Sequence, residues 1–188
     1  NKTSIDSAGS LEVDAAGKVD LSGAKVEYSE VGVLRLVAGS TDSDALKVFA
    51  HENNTFKGAE VVLDSAGGLI FAAETSITVE TSSGQAVLKG QKIDLKSGSS
   101  VKAAGEATVR GYDSLVLGDK ISVGGSSVSI TGGQQAFSLG NNVSLTATNG
   151  GIEVLADADA TLGGSLNVNA SLKDPSAGDE DPPREGAR

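Results

Sequence analysis

A pair of apolar residues separated by one residue recurs along nearly the whole sequence and constrains the fold more than any other feature. Leu34 with Leu36 and Val143 with Leu145 are two such pairs. Alternation with a period of two is typical of strands that bury one face. The pairs start about eight residues apart, which leaves roughly three to five residues for each connection. The repeat therefore predicts an all-β protein of stacked short strands, either a β-solenoid or a trimeric, intertwined β-helix (β-prism).

The paired residues form the predicted core of this stack. If each strand buries one face, the pairs point to a common axis, where a fully buried side chain stabilises the stack by roughly 1.5 to 3 kcal/mol. The predicted core residues are Leu34, Leu36, Val61, Leu63, Leu69, Phe71, Ile77, Val79, Ile93, Leu95, Leu115, Leu117, Ile121, Val123, Val128, Ile130, Phe137, Leu139, Val143, Leu145, Ile152 and Val154.

Turn residues separate the apolar pairs. The sequence contains 25 Gly, and runs rich in Gly and Ser at 65–68, 124–126 and 163–165 are typical of tight corners. Trp and Met are absent, and the aromatic residues are two Tyr and four Phe, so the core must consist mainly of Val, Leu, Ile and Ala. Such a core is thin and layered. The abundance of Gly, Ser, Thr and Val also disfavours helices.

The repeat divides the chain into two predicted parts. Residues 1–173 form the repeat region, in which 41–57 break the rhythm and are expected to form a protruding loop or an irregular layer. Residues 174–188 contain all three Pro together with several acids, so we expect a disordered tail or a linker. Because the sequence begins at Asn1 and not at Met, we expect a processed or truncated piece.

Charge and composition argue against several functions. The net charge is −10, and phosphate contacts require clustered Lys and Arg, so nucleic acid is not an expected partner. No stretch approaches the roughly 18 consecutive apolar residues of a membrane span. We therefore expect membrane contact only through sequence outside this chain. The absence of Cys excludes disulfide and thiol chemistry.

Residues with catalytic or metal-binding chemistry are scarce, and we predict no enzymatic activity, no cofactor and no metal site. His51 is the only His and would have to act without a positioned partner. Asp42 with Asp44, and Asp157 with Asp159, match neither the EF-hand spacing nor the GGxGxD repeat of calcium-binding β-rolls. We interpret all of these side chains as solvated surface.

One surface motif is more frequent than chance would give. The N-glycosylation sequence Asn-x-Ser/Thr begins at Asn1, Asn53, Asn142 and Asn169. Asn, Ser and Thr also occur together in turns for structural reasons alone. If the motifs carry glycans, the protein is secreted or displayed at a cell surface.

Two families show the same pattern. GVLRLVAGS at 32–40, followed by GAEVVLDSAGGLIFAAETSITVETSSGQAVLKGQ at 58–91, resembles the extracellular region of the sarcoglycans. This resemblance implies a glycosylated β-helical chain that winds with related chains into a trimer, within a membrane-associated complex. The Cys-rich cluster and the transmembrane helix of that family are missing, so no functional residue is carried over.

The segment ISVGGSSVSITGGQQAFSLGNNVSLTATNGG at 121–151 resembles the β-prism needles of phage tail spikes and type VI secretion tips. These needles are also trimers, with a roughly eight-residue repeat. The resemblance implies a spike or needle tip of a contractile machine as an alternative function. A metal-binding or hydrophobic apex is usual in such needles, whereas this chain has an acidic tail with Pro.

The sequence favours a non-catalytic structural or assembly protein, a rigid β-helical rod at the cell surface or outside the cell. Its expected partners are related β-helical chains in a homotrimer or heterotrimer, within a membrane-associated or filamentous complex. A carbohydrate-binding or polysaccharide-degrading β-helix is the other alternative and would need carboxylates on successive layers. Short corners favour three intertwined chains over one chain that closes on itself.

Overall fold

The computed structural model describes residues 9–20, 27–29, 32–42, 45–48, 54–71, 76–157 and 159–171. These residues form only strands and their connections, and no helix occurs among them. All strand pairs in this part of the chain are parallel. The prediction of an all-β solenoid is confirmed.

The strands form three faces around one axis. The first face contains β1 (Leu11–Ala15), β4 (Val33–Ala38), β7 (Glu60–Ser65), β10 (Ala86–Leu95), β12 (Ala107–Leu117), β14 (Val128–Gly132) and β17 (Ile152–Ala156). The second face contains β2 (Val19–Asp20), β5 (Leu46–Val48), β8 (Gly68–Phe71), the later halves of β10 and β12, β15 (Ala136–Leu139) and β18 (Ala160–Leu162). The third face contains β3 (Glu27–Ser29), β6 (Asn54–Gly58), β9 (Ile77–Thr81), β11 (Ser100–Lys102), β13 (Ser122–Gly125), β16 (Val143–Ala147) and β19 (Leu166–Ala170).

Each strand pairs with the strand that the chain forms one turn later. Aligned residues are 21 to 28 positions apart, as in Ala86 with Ala107 and Glu27 with Thr55. The described residues thus make seven layers, which we number from the first (β1 to β3) to the seventh (β17 to β19). At about 4.8 Å per layer, the coil is a rod of roughly 30 Å.

Three strands of the same chain complete each turn of the coil. The core along its axis consists of side chains from all three faces of this one chain, such as Leu88, Leu115 and Leu145. One chain therefore closes the coil by itself, whereas the short corners had favoured three intertwined chains. Association of whole coils into a trimer is a separate prediction.

The apolar pairs point to the axis, as their alternating burial shows. In β14, Val128 and Ile130 are buried while Ser129 and Thr131 are partly exposed. The predicted core residues with buried side chains are Leu34, Leu36, Val61, Leu63, Ile77, Val79, Ile93, Leu95, Leu115, Leu117, Ile121, Val123, Val128, Ile130, Phe137, Leu139, Val143 and Leu145. Leu69 and Phe71 lie on β8, with side chains outside the described part of the structure.

The last predicted core pair differs from the others. Ile152 is only partly buried and Val154 is exposed, although they align with the buried Val128 and Ile130. These side chains point to the axis like their neighbours, but no layer of the described structure covers their far side. Ile152 still packs against the core, whereas the exposure of Val154 differs from the prediction because the repeat does not mark which layer is last.

Residues 41–57 continue the coil where they are described. β5 and β6 lie in this segment and pair in register with the layers on either side. Phe56 on β6 is fully buried, although the sequence did not mark it as core. Its alternation with Thr55 and Lys57 was the available signal. The predicted tail at 174–188 lies outside the described residues.

Side chains at the corner between the second and third faces hold successive layers together. The Oδ1 atom of Asp119 accepts hydrogen bonds from the backbone N–H of Asn141 at 2.7 Å and from its side-chain amide at 3.2 Å. The Oδ1 atom of Asn141 in turn accepts one from the backbone N–H of Gly164 at 2.7 Å. The following residues, Lys120 and Asn142, have left-handed φ angles of 58° and 56°. The same turn thus repeats in successive layers and fixes their register.

Candidate assembly site at the end of the coil

The seventh layer of the coil has three open strand edges. β17 pairs with β14, β18 with β15, and β19 with β16. No strand of the described structure pairs with the other side of these three strands. Their backbone N–H and C=O groups on that side face away from the coil, which makes each edge a template for pairing with a further strand.

The inward side chains of this layer form an apolar end surface. Val154, Leu162 and Val168 are 39%, 57% and 56% exposed, respectively. Each continues an inward column of the coil, and Val168 aligns with the fully buried Leu145. The preceding layer covers these side chains from one side only. We call the surface formed by Ile152, Val154, Leu162, Leu166 and Val168 the end face.

The end face has an acidic rim. Between Ile121 and Ser171 the sequence contains no Lys or Arg. The acids in this stretch are Glu153, Asp157 and Asp159, and all three are exposed in the seventh layer. Glu153 points outward from β17, while Asp157 and Asp159 lie at the corner that follows. Apolar surface and negative charge therefore coincide at this end of the rod.

The first layer presents a matching surface at the opposite end. Leu11, Val13 and Ala15 are the inward residues of β1, and all three are only partly buried. Through the successive registers of the first face, these residues occupy the same columns as Ile152, Val154 and Ala156 of β17. The inward side chains at the two ends are thus aligned in the same way as those of neighbouring layers within the coil.

The remaining residues singled out from the sequence do not converge on one site. Asp42 is exposed and forms an ion pair with Lys18, with its Oδ2 atom 3.0 Å from Nζ. His51 and Asp44 lie outside the described residues. Within the described ranges, no group of three or more His, Cys, Asp or Glu side chains is placed to hold a metal ion.

Two of the four glycosylation motifs lie within the described structure. Asn142 is exposed at a corner, and Asn169 is exposed on β19. Asn1 and Asn53 lie outside the described residues. Both described Asn side chains are thus on the outer surface of the coil, where an attached glycan would not displace the core.

Comparison with known proteins returns no relative. No family model matches the sequence, no curated protein matches it, and no solved structure matches it. In the described residues, no helix has the length and apolar character needed to cross a membrane. The end face is therefore interpreted from its own geometry and chemistry.

Proposed function

We propose that this chain is a non-catalytic structural protein, a rigid β-helical rod that assembles end to end through the end face. The observation that carries the proposal is the coincidence of three open strand edges with exposed apolar side chains in the seventh layer. A surface of this kind is stabilised when a further strand layer covers it, because backbone pairing and apolar burial then occur together.

The partner that fits the end face is the first layer of another β-helical chain, and a second copy of this chain provides one. Its Leu11 and Val13 would continue the columns of Ile152 and Val154, in the register that neighbouring layers already use. Hydrogen bonds from the three edges would extend the coil across the junction. We further propose that the rod acts outside the cell or at its surface, with Asn142 and Asn169 as glycan sites. Trimer formation with related β-helical chains is a separate proposal, supported by the sequence repeat.

Substitution of the end face tests this assembly. The rim of a head-to-tail junction would align Glu153 with Glu12 of the next copy, so charge repulsion opposes association at low salt. We expect sedimentation velocity to show oligomers that become more abundant between about 0.02 M and about 0.5 M sodium chloride, as screening weakens this repulsion. The sedimentation coefficients also report whether the product is a trimer.

The double variant Leu162→Asn with Val168→Asn should abolish this association. Both side chains are already more than half exposed, so the fold should tolerate the change. Thr161→Asn, which alters an exposed outward residue of the same strand, is the matched control and should associate like the unaltered chain. A chain that sediments as a monomer at every concentration and salt level would contradict the proposal, and so would equal association of the double variant.

A further inference from the structure

Three cationic side chains without an acidic partner lie together on a chain whose net charge is −10. Lys89 on β10 aligns with Arg110 on β12, and Lys92 follows on the second face. The ion pairs found among the described residues use Lys18, Lys57 and Lys96 and leave these three cations unpaired. Unpaired cations on an acidic protein are candidates for binding an anion, because their charge is not neutralised within the chain.

The corner between the first and second faces places these cations around a small bulge. In β10 the single residue Gln91 fills this corner, whereas β12 uses two residues there, Tyr112 and Asp113. Such bulges redirect side chains and are over-represented next to functional sites. In the next layer, the backbone N–H of Gln135 donates to the carbonyl oxygen of Asp113 at 2.8 Å.

Close packing below the bulge holds it in place. A Cβ atom on Gly133 would lie 1.6 Å from the carbonyl oxygen of Tyr112, so only glycine permits this approach. The backbone of Tyr112 therefore rests directly on the next layer. The rigid backbone leaves its ring on the outer surface, 40% exposed.

Tyr112 and Arg110 form a stacked pair at the surface. The guanidinium carbon of Arg110 lies 4.8 Å from the centre of the Tyr112 ring. Stacking on an aromatic ring orders an arginine while leaving its N–H groups free to bind a carboxylate in bidentate fashion. Arg110 is itself exposed, so this pair presents an aromatic surface and an anion-binding group side by side.

A surface depression on the same corner includes Asp113, the residue that follows Tyr112 in the bulge. It has a volume of about 330 Å³ and is lined by Thr41, Ala66, Gly68, Gln91, Lys92 and Asp113. Hydroxyl, amide and carboxylate groups in one depression are suited to a ligand with many hydroxyl groups, because each can accept or donate a hydrogen bond. The volume is at the lower end of the range for small-molecule sites.

We propose that this corner binds an oligosaccharide that carries carboxylate groups, such as a chain of uronic acids. We call the residues involved the corner cluster: Lys89, Gln91, Lys92, Arg110, Tyr112 and Asp113. Arg110 and Lys89 bind the carboxylate, the Tyr112 ring packs against a sugar ring, and Gln91 with Asp113 binds hydroxyl groups. The carboxylates of Asp64, which aligns with Lys89, and of Asp113 limit the positive charge. This balance favours a sugar acid over a polyanion of higher charge density, such as nucleic acid.

Titration calorimetry of the full chain with a galacturonic acid hexamer tests this assignment. We expect saturable binding that weakens at least about tenfold for Arg110→Gln and for Tyr112→Ala, since these remove the charged hydrogen bonds and the stacking surface. Lys102→Gln is the matched control. It removes another exposed cation, on the third face, and should change the affinity by less than about twofold. Both cluster variants change exposed side chains, and their thermal midpoints verify the fold.

Two further ligands identify what the corner cluster binds. The methyl ester of the same hexamer lacks the carboxylate charge and should bind at least about tenfold more weakly. A sulfated hexasaccharide of the heparin type serves as the second ligand, and stronger binding of it would overturn the assignment to carboxylates. The proposal would also be overturned by an absence of saturable binding to the galacturonic acid hexamer, or by equal losses in Lys102→Gln and Arg110→Gln. If Tyr112→Ala loses its fold, Arg110→Gln decides the outcome.

Discussion

Three polar residues are buried in the described part of the coil, Ser65, Thr81 and Ser99, and each donates a hydrogen bond to a carbonyl group at a corner. Ser99 is buried, and its Oγ atom donates to the carbonyl oxygen of Lys96 at 2.7 Å and accepts from the N–H of Ile77 at 3.2 Å. Thr81 is buried with the same arrangement, donating to Gly84 and accepting from Ala104. Alternation places Thr81 in phase with the buried Val79, and Ser99 in phase with the buried Val101. Their bonding partners belong to the turn or to other layers, so the sequence does not show that the buried hydroxyl groups are satisfied.

Outward residues on the third face form a row of alternating charge. Lys57, Glu80 and Lys102 align on adjacent strands, and Nζ of Lys57 is 2.8 Å from Oε2 of Glu80. The hydrogen bond and the charge of Lys57 lower the pKa of Glu80. Burial opposes them, and the charge of Lys102 makes the smallest contribution, which also lowers this pKa. The row is a surface feature, so its effect on stability is small.

Replacement of Lys57 should raise the pKa of Glu80. We expect Lys57→Gln to move it upward towards its ordinary value, and Lys102→Gln to move it less, when the carboxyl carbon is followed by NMR. A lowered folded-state pKa stabilises the protein above the unfolded-state pKa, and this contribution is lost as the pH falls through the folded-state value. The difference in the free energy of unfolding between the unaltered chain and the Lys57→Gln variant should therefore decrease as the pH falls. An unchanged Glu80 titration in Lys57→Gln would contradict the contact.

At the scale of elements, most strands were predictable because each apolar pair specifies one short strand. The corners were less predictable. The pair Ile93 with Leu95 was expected to mark a short strand of its own, but it lies in β10, which begins at Ala86 on the first face. The chain turns there with Gln91 alone, so one strand continues through the corner, although its pairing with β12 shifts register at this residue. The number of corner residues depends on how neighbouring layers stack, and local sequence does not report that.

Aligned strands at the end of the coil should respond differently to truncation of their side chains. Leu145 on β16 is fully buried, whereas its partner Val168 on β19 is more than half exposed. We expect Leu145→Ala to lower the free energy of unfolding by about 2 to 5 kcal/mol, and Val168→Ala by less than about 1 kcal/mol. Urea denaturation of dilute protein measures both. Equal losses would show that the seventh layer is not open in solution.

At the scale of the whole molecule, the sequence predicted the solenoid but favoured the wrong closure. A repeat of about eight residues fits three strands of one chain and one strand from each of three chains equally well. The difference lies in which strands pair, and here the partners are one full turn apart in the same chain. The end face was also not predictable from the sequence, because its apolar pairs have the same spacing as every other pair. The corner cluster depends on the alignment of Lys89 with Arg110, which is likewise set by the turn length.

Cross-linking of engineered cysteines tests closure within one chain most directly. The chain contains no Cys, and Ser122 aligns with Ser144 on the outer surface of the third face. Adjacent strands are about 4.8 Å apart, which is within the range of Cα separations that a disulfide spans. The control pair Ser122→Cys with Ser129→Cys places the second thiol on the first face and should not cross-link within the chain.

On mild oxidation, the double variant Ser122→Cys with Ser144→Cys should form a disulfide within one chain at every protein concentration. The oxidised protein should migrate as a monomer on a non-reducing denaturing gel. An intertwined trimer would place these two residues of one chain about three layers apart, with strands of other chains between them. Disulfide-linked dimers and trimers, without the internal cross-link, would contradict a coil closed by a single chain.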